Sequence, residues 1–275
     1  MSLRYIYLYN DDGVSTESLR QTVYTLSDIA PAYKLQCINA QEIIKETWTK
    51  NAALFVMPGG ADIPYAKKLN GAGNRTIKKY IENGGSYLGI CAGAYYASSF
   101  IRFDAGGPLE VIGKRELAFF LGEAIGPVLA TYDYHTNSGA RAALLYLNRE
   151  VIKNSNFNEI AFYYNGGAYF KNTSLYDNVN VLAFYKRNNS MLPAILKIKY
   201  KNGIVILSAV HFEYSYKLFT LNDKYLLKIA PVLHKYEEAS IAFATLMLTM
   251  LGIEQTEHIR PRPAALDLNS LRPLQ

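Results

Sequence analysis

The sequence predicts an α/β protein with a mostly parallel, doubly wound central sheet and antiparallel strands added in its second half. Three observations carry that expectation. Strand-like and helix-like segments alternate from Leu3 to Cys91, the rhythm of a parallel sheet wound by crossover helices. Ala53–Met57 is apolar throughout, as a strand covered on both faces must be. The strand Tyr87–Ile90 then runs into Gly89-Ile90-Cys91-Ala92-Gly93, a Gly-x-Cys-x-Gly turn followed by small residues that can open a helix.

Leu3–Tyr9 alternates like a strand and ends in the turn Asn10-Asp11-Asp12-Gly13. Ser15 or Thr16 then caps a helix to about Ile29, with Glu17 in its positively polarised first turn. Pro31 breaks the chain. Tyr33–Asn39 reads as the second strand, Ala40–Lys45 as a short helix, and Ala53–Met57 as the third strand, closed by Pro58-Gly59-Gly60. A helix from about Asn74 to Glu82 stops at Asn83-Gly84-Gly85. From Leu109 to Lys201 the segments are short, aromatic and separated by Gly, Asn and Pro. Ile160–Tyr164, Ala168–Phe170, Val179–Tyr185 and Ala194–Tyr200 read as antiparallel strands. Ile204–Val210 is another buried strand, and it ends at His211-Phe212-Glu213. A last helix spans about Glu237 to Leu251 and stops at Gly252. Residues 1–253 thus read as one domain, and 254–275, with three prolines, as a strap or tail.

Half of the 275 residues are apolar and 19% are charged, so a sizeable core is available. The longest apolar run, Ile241–Leu251, is interrupted by Thr245 and Thr249 and is too short to span a bilayer. No signal-peptide core follows Arg4, so a cytoplasmic protein without a membrane partner is expected. The net charge of +6 comes from scattered basic residues, and no motif accompanies it, so no nucleic-acid partner is expected. Two cysteines, Cys37 and Cys91, supply no disulfide framework and no cysteine-based metal site. No metal or cofactor is called for.

The serine version of the Gly-x-Cys-x-Gly layout is the nucleophile elbow, a strand-to-helix turn that lifts its central residue above the sheet. The first helical amides there favour a thiolate and can hold an oxyanion. A plain buried cysteine at a helix start is the competing explanation. A cysteine nucleophile needs a base and a group to orient that base. His211 as general base and later acid, and Glu213 as its orienter, fit those roles two residues apart after an apolar strand. The alternative is an ordinary surface pair at a strand end. The amides of Gly60 and Ala92 would form the oxyanion hole. Gly59, Asp62, Glu116, His135, Asn165 and Gly166 are candidate pocket residues. For Glu116 a turn cap is the alternative, for His135 a structural histidine, and for Asn165-Gly166-Gly167 a hairpin turn between two strands.

Gly-x-Cys-x-Gly, the preceding glycine turn and the late His-x-Glu resemble the class I glutamine amidotransferase superfamily. Longer stretches are similar to the amidotransferase-like N-terminal domain of eukaryotic biotin-protein ligases. They are Val14–Ser18, Met57–Tyr65, Leu69–Asn74, Tyr80–Gly85, Gly89–Tyr96, Pro108–Val111, Arg115–Phe120 and Tyr163–Gly167. The resemblance runs from about Tyr5 to Glu213. It implies a flavodoxin-like three-layer sandwich with Cys91 at the pocket floor. Two departures stand out. Phe212 occupies the place where the family usually has proline, which puts the orientation of Glu213 in question. The glycine- and arginine-rich biotinyl-adenylate loop of the ligase half does not occur in this sequence, so biotin transfer by this chain alone is not expected.

The resulting expectation is a stand-alone cysteine site that transfers or hydrolyses a small amide or acyl substrate through a thioester, with a ligase or synthase as partner. The competing expectations are a non-catalytic binding or regulatory module serving a ligase, and a cysteine-elbow chaperone, peptidase or redox protein.

Overall fold

The computed structural model describes residues 5–153, 155–220 and 222–254. The first half follows the predicted alternation: β1 (Tyr5–Tyr9), α1 (Thr16–Ile29), β2 (Lys34–Ile38), α2 (Ala40–Ile44), β3 (Ala52–Met57), α3 (Asp62–Leu69), α4 (Ala72–Glu82), β4 (Ser86–Ile90) and α5 (Ala92–Tyr96). The second half supplies β5 (Ser98–Phe103), β6 (Val111–Lys114), β7 (Phe120–Gly126), β8 (Arg141–Leu147), β9 (Glu159–Tyr164), β10 (Tyr169–Lys171), β11 (Val179–Arg187), β12 (Ser190–Tyr200) and β13 (Gly203–Ser208). It closes with α6 (Lys224–Lys235) and α7 (Glu237–Met250). Residues 255–275, for which a strap or tail was expected, lie outside the described residues.

Among the described residues, nine strands form one sheet in the order β2-β1-β3-β4-β13-β12-β11-β8-β9. The first five are parallel to one another, and β12, β11, β8 and β9 continue the sheet antiparallel. The chain reverses its direction of travel across the sheet between β1 and β3. In an open α/β sheet the crevice beyond the strand ends at such a reversal is where ligands bind.

Alternation along each strand divides the core. In β1, Ile6 and Leu8 pack on the side of α1 and α7 with Val23, Leu26 and Phe243. Tyr7 and Tyr9 face the other side with Tyr65, Ile77 and Tyr87. Both sets are buried, which is why β3 had to be apolar at every position. A second sheet, β10-β7-β5-β6, lies over the second of these faces through Phe119, Phe120 and Phe170. The architecture is therefore layered α/β with a mostly parallel core, as the alternation implied.

Several elements were not foreseen. The helix α3 carries Pro64 in its first turn, where a missing N–H costs nothing because that turn has no intrahelical acceptor for it. The helix α6 has Pro231 inside it, which masks its periodicity, and is started instead by Asp223, whose carboxylate accepts from the Tyr225 and Leu226 amides at 2.9 and 3.2 Å. The strands β7 and β8 alternate in burial but carry apolar residues at outward positions too, Leu121 and Leu144 among them, so the period does not show in the sequence. Asn165-Gly166-Gly167 is not a hairpin turn: β9 and β10 belong to different sheets, and the loop carries the chain from one to the other.

Leu88 is fully buried at the centre of the parallel half. Leu88→Ala is expected to lower the unfolding free energy by about 2–5 kcal/mol, read from the denaturant midpoint by circular dichroism.

Candidate functional site

The carboxyl ends of β1, β3, β4 and β13 deliver the site. Cys91 follows β4 at φ 49° and ψ −106°, left-handed backbone for a residue with a side chain. It is held there from two sides. Its N–H donates to the Ser208 carbonyl on β13 at 2.8 Å, and its own carbonyl accepts from the Ala94 and Tyr95 amides at 2.9 Å each. Gly93 is required because α5 lies directly on β3: a Cβ at that position would collide with the Met57 carbonyl. The elbow is thus a consequence of helix-on-strand contact without an intervening side chain. The thiol is mostly buried, and Sγ lies 3.9 Å from the Asn165 carbonyl oxygen.

His211 and Glu213 come together by a different route from the one the spacing suggested. The strand β13 ends at Ser208, and the chain bends before reaching them. The His211 amide donates to the Tyr163 carbonyl at 2.8 Å, which pins the backbone, and a turn brings Nδ1 to within 2.7 Å of Glu213 Oε1. Both side chains are buried, Glu213 completely. Burial, the largest influence on the imidazole, opposes its charge. It is outweighed by the Glu213 carboxylate and then by the charge and hydrogen bonding of Cys91, so the His211 pKa is pushed up to about 10. With Nδ1 engaged by Glu213, Nε2 is the ring nitrogen left for the thiol. Phe212 turns into the core and packs against Phe162, ring centroids 6.4 Å apart.

The two proposed oxyanion amides lie at the same cavity as Cys91. Gly60 forms an antiparallel bridge with Val14, flanked by Ser15 N–H to Gly59 O at 3.0 Å and Ala61 N–H to Gly13 O at 2.8 Å. This is the non-hydrogen-bonded position of the bridge, so the Gly60 N–H is turned away from Val14. Ala92 is the first residue of α5, whose N–H has no intrahelical partner.

The cavity measures about 780 Å³ and is also lined by Asp62, His135, Asn165 and Gly166. Asp62 pairs with Arg115 at 2.6 Å, which fixes its orientation at the rim. Aromatic rings supply much of the wall. Tyr95, Phe103, Tyr132 and Tyr134 run edge to face at 4.9–5.8 Å along one side. Tyr163 and Tyr214 stack at 4.2 Å beside His211. Burial raises the hydroxyl pKa of these tyrosines, so they remain neutral donors.

Two pocket candidates lie elsewhere. Glu116 is not on the cavity: its carboxylate accepts from the Gly71 amide at 2.6 Å and from the Asn74 side chain at 2.7 Å, closing the start of α4. Gly59 stands behind the histidine, where an added Cβ would fall 2.6 Å from His211 Cε1. The sequence reading missed Ser18, which is fully buried on α1 and bonded to both Gly59 and Glu213. A buried serine on the inner face of a helix is the signal that was available. Among the described residues, no group of three His, Cys, Asp or Glu side chains is placed to hold a metal, and no helix is long and apolar enough to cross a membrane.

Residues 4–271 match the family described as biotin-protein ligase, N terminal. The chain belongs to that family. It is 32% identical over 252 residues to the biotin--protein ligase of Schizosaccharomyces pombe, covering 90% of this chain and 38% of that protein. It is 35% identical over 229 residues to an uncharacterized protein of Chlamydia muridarum, covering 82% of this chain and 86% of that one. The chain therefore spans well under half the length of the S. pombe ligase. Among solved structures, a ThuA-like protein from Bacteroides uniformis has a TM-score of 0.48 at 15% identity, covering 83% of this chain and 89% of that chain. A GMP synthase subunit from Thermoplasma acidophilum has 0.47 at 14%, covering 91% and 98%.

The raised His211 pKa fixes a pH dependence. The folded state binds the imidazole proton more tightly than the unfolded chain, so this contribution to stability is complete below about 6.5 and is lost as pH rises through about 10. Glu213→Gln removes the strongest interaction that raises it and leaves burial opposing the charge. The stability gap between wild type and Glu213→Gln should narrow from pH 6.5 to 10 in thermal melts, and the His211 ring should titrate lower by NMR.

Proposed function

We propose that the chain is a cysteine-dependent enzyme acting on a small amide or acyl group through a thioester at Cys91. The observation that carries this reading is the buried 2.7 Å His211–Glu213 pair beside a backbone-strained cysteine at a cavity of about 780 Å³. An imidazolium at His211 is the neighbour a thiolate needs. The sulfur attacks the substrate carbonyl, and a C–S bond forms while the carbonyl π pair moves onto oxygen. The Gly60 and Ala92 amides receive that charge. Collapse breaks the C–N bond, and His211 gives its proton to the departing amine. Water, or another acceptor, then loses a proton to His211 as it attacks the thioester, and the acyl product leaves with the thiolate restored. The aromatic walls suit an acyl group with an apolar or planar body.

A second reading is a binding module that serves a ligase partner. It is favoured by one fact: the matching segment of the S. pombe protein is 38% of a longer chain described as a ligase.

Intact-protein mass spectrometry with amide and activated-ester probes separates the two. The enzyme is expected to gain one acyl mass at Cys91, none with Cys91→Ser, and to lose about 10²–10⁴-fold in rate with His211→Asn. Cys37 is the internal comparison, because burial pushes its thiol up to about 11. Binding of ligand with no adduct, and equal labelling of both cysteines, would leave only the module.

A further inference from the structure

Beside the apolar residues Leu19, Val23, Leu26 and Ile29, the buried face of α1 carries a polar stripe. Ser18, Gln21 and Thr22 have no exposure to solvent. Their partners explain the departure. Ser18 Oγ accepts from the Gly59 N–H at 3.0 Å and donates to Glu213 Oε1 at 3.1 Å. Gln21 Oε1 accepts from the Ser215 N–H at 2.9 Å, and Thr25 Oγ1 donates to the Glu213 carbonyl at 2.6 Å. Residues 18, 21 and 25 share one helix face, so a single stripe grips the turn from Glu213 to Ser215 at three points.

We infer that Ser18 is a positioning residue for the Cys91–His211–Glu213 site. Phe212 has free φ where proline would fix it, so the turn must be held from outside. The α1 stripe does this for the backbone, and Ser18 does it for the carboxylate. Its hydroxyl has one lone pair committed to Gly59 N–H, which aims its own hydrogen at Oε1. Oε1 then receives two donors, Ser18 and His211 Nδ1, while Oε2 is buried with no hydrogen-bond partner among the described residues. The carboxylate is thereby anchored through one oxygen. The same hydroxyl ties Gly59, next to the Gly60 amide, to the histidine side of the cavity. Base and oxyanion hole are thus set by one group on the cavity wall whose hydroxyl is already committed to Gly59 and Glu213.

This inference rests on the proposed chemistry for its kinetic consequence and on geometry alone for its spectroscopic one. Ser18→Ala is compared with Ser18→Thr, which keeps the hydroxyl, and with Ser240→Ala. Ser240 is a buried serine bonded to Ala161 N and O, away from the site, and controls for lost stability. In wild type the His211 Nδ1–H should give a protected downfield proton resonance. Ser18→Ala should broaden or lose it, Ser18→Thr should restore it, and Ser240→Ala should leave it unchanged. With an acyl probe that turns over, Ser18→Ala should lower kcat about 10–100-fold with KM unchanged. A resonance that persists in Ser18→Ala overturns the inference, as does equal loss in Ser240→Ala. No turnover in wild type with the resonance behaving as expected removes the enzymatic reading and keeps the positioning role.

Discussion

A carboxylate with no exposure to water governs the architecture around the cavity. Stripped of its partners, a buried charge such as Glu213 would cost several kcal/mol, far more than one hydrogen bond returns. Its proximity to His211 and Ser18 is therefore a requirement of folding as well as of any chemistry. His211 needs the anion to remain charged inside the protein, Ser18 needs a helix to carry it there, and Gly59 must lack a side chain so that both can approach.

The sheet makes that meeting available. Parallel strands end on the same edge, so residues after β1, β3, β4 and β13 emerge side by side although they are far apart in sequence. Antiparallel strands β12, β11, β8 and β9 extend the sheet, and the second sheet supplies aromatic cover. The end of β9, with Tyr163, and the loops carrying Tyr132 and Asn165 wall the cavity. The parallel half thus carries Cys91, His211 and Glu213, and the added half shapes the space in front of them.

Much of this was written in local patterns. The alternation in β1, the capping serine of α1, the fully apolar β3 and the Gly-x-Cys-x-Gly turn are each set by neighbours within a few residues. The pairing of His211 with Glu213 was legible only as a spacing; the turn that closes it depends on Tyr163 holding the His211 amide. Ser18 showed only as a serine on the inner face of a helix, because its partners lie 41 and 195 residues away. Glu116 misled because an acid near a cavity and an acid closing a helix start look alike in one dimension. The strands β7 and β8 hide their period because outward positions such as Leu121 are apolar as well, and Pro231 disguised a helix that its cap sustains.

The placement of β13 has a consequence for the order in which the molecule comes into being. This strand sits between β4 and β12, parallel to the first and antiparallel to the second, yet among the described residues it is the last strand in sequence. A nascent chain that has emerged only through β12 holds its sulfur beside an unfilled slot, with neither imidazole nor the Ser208 carbonyl that fixes the elbow. Closing that slot joins both halves of the sheet and brings His211 to Cys91 in one event. The Cys91–His211 neighbourhood is therefore assembled only with the finished fold.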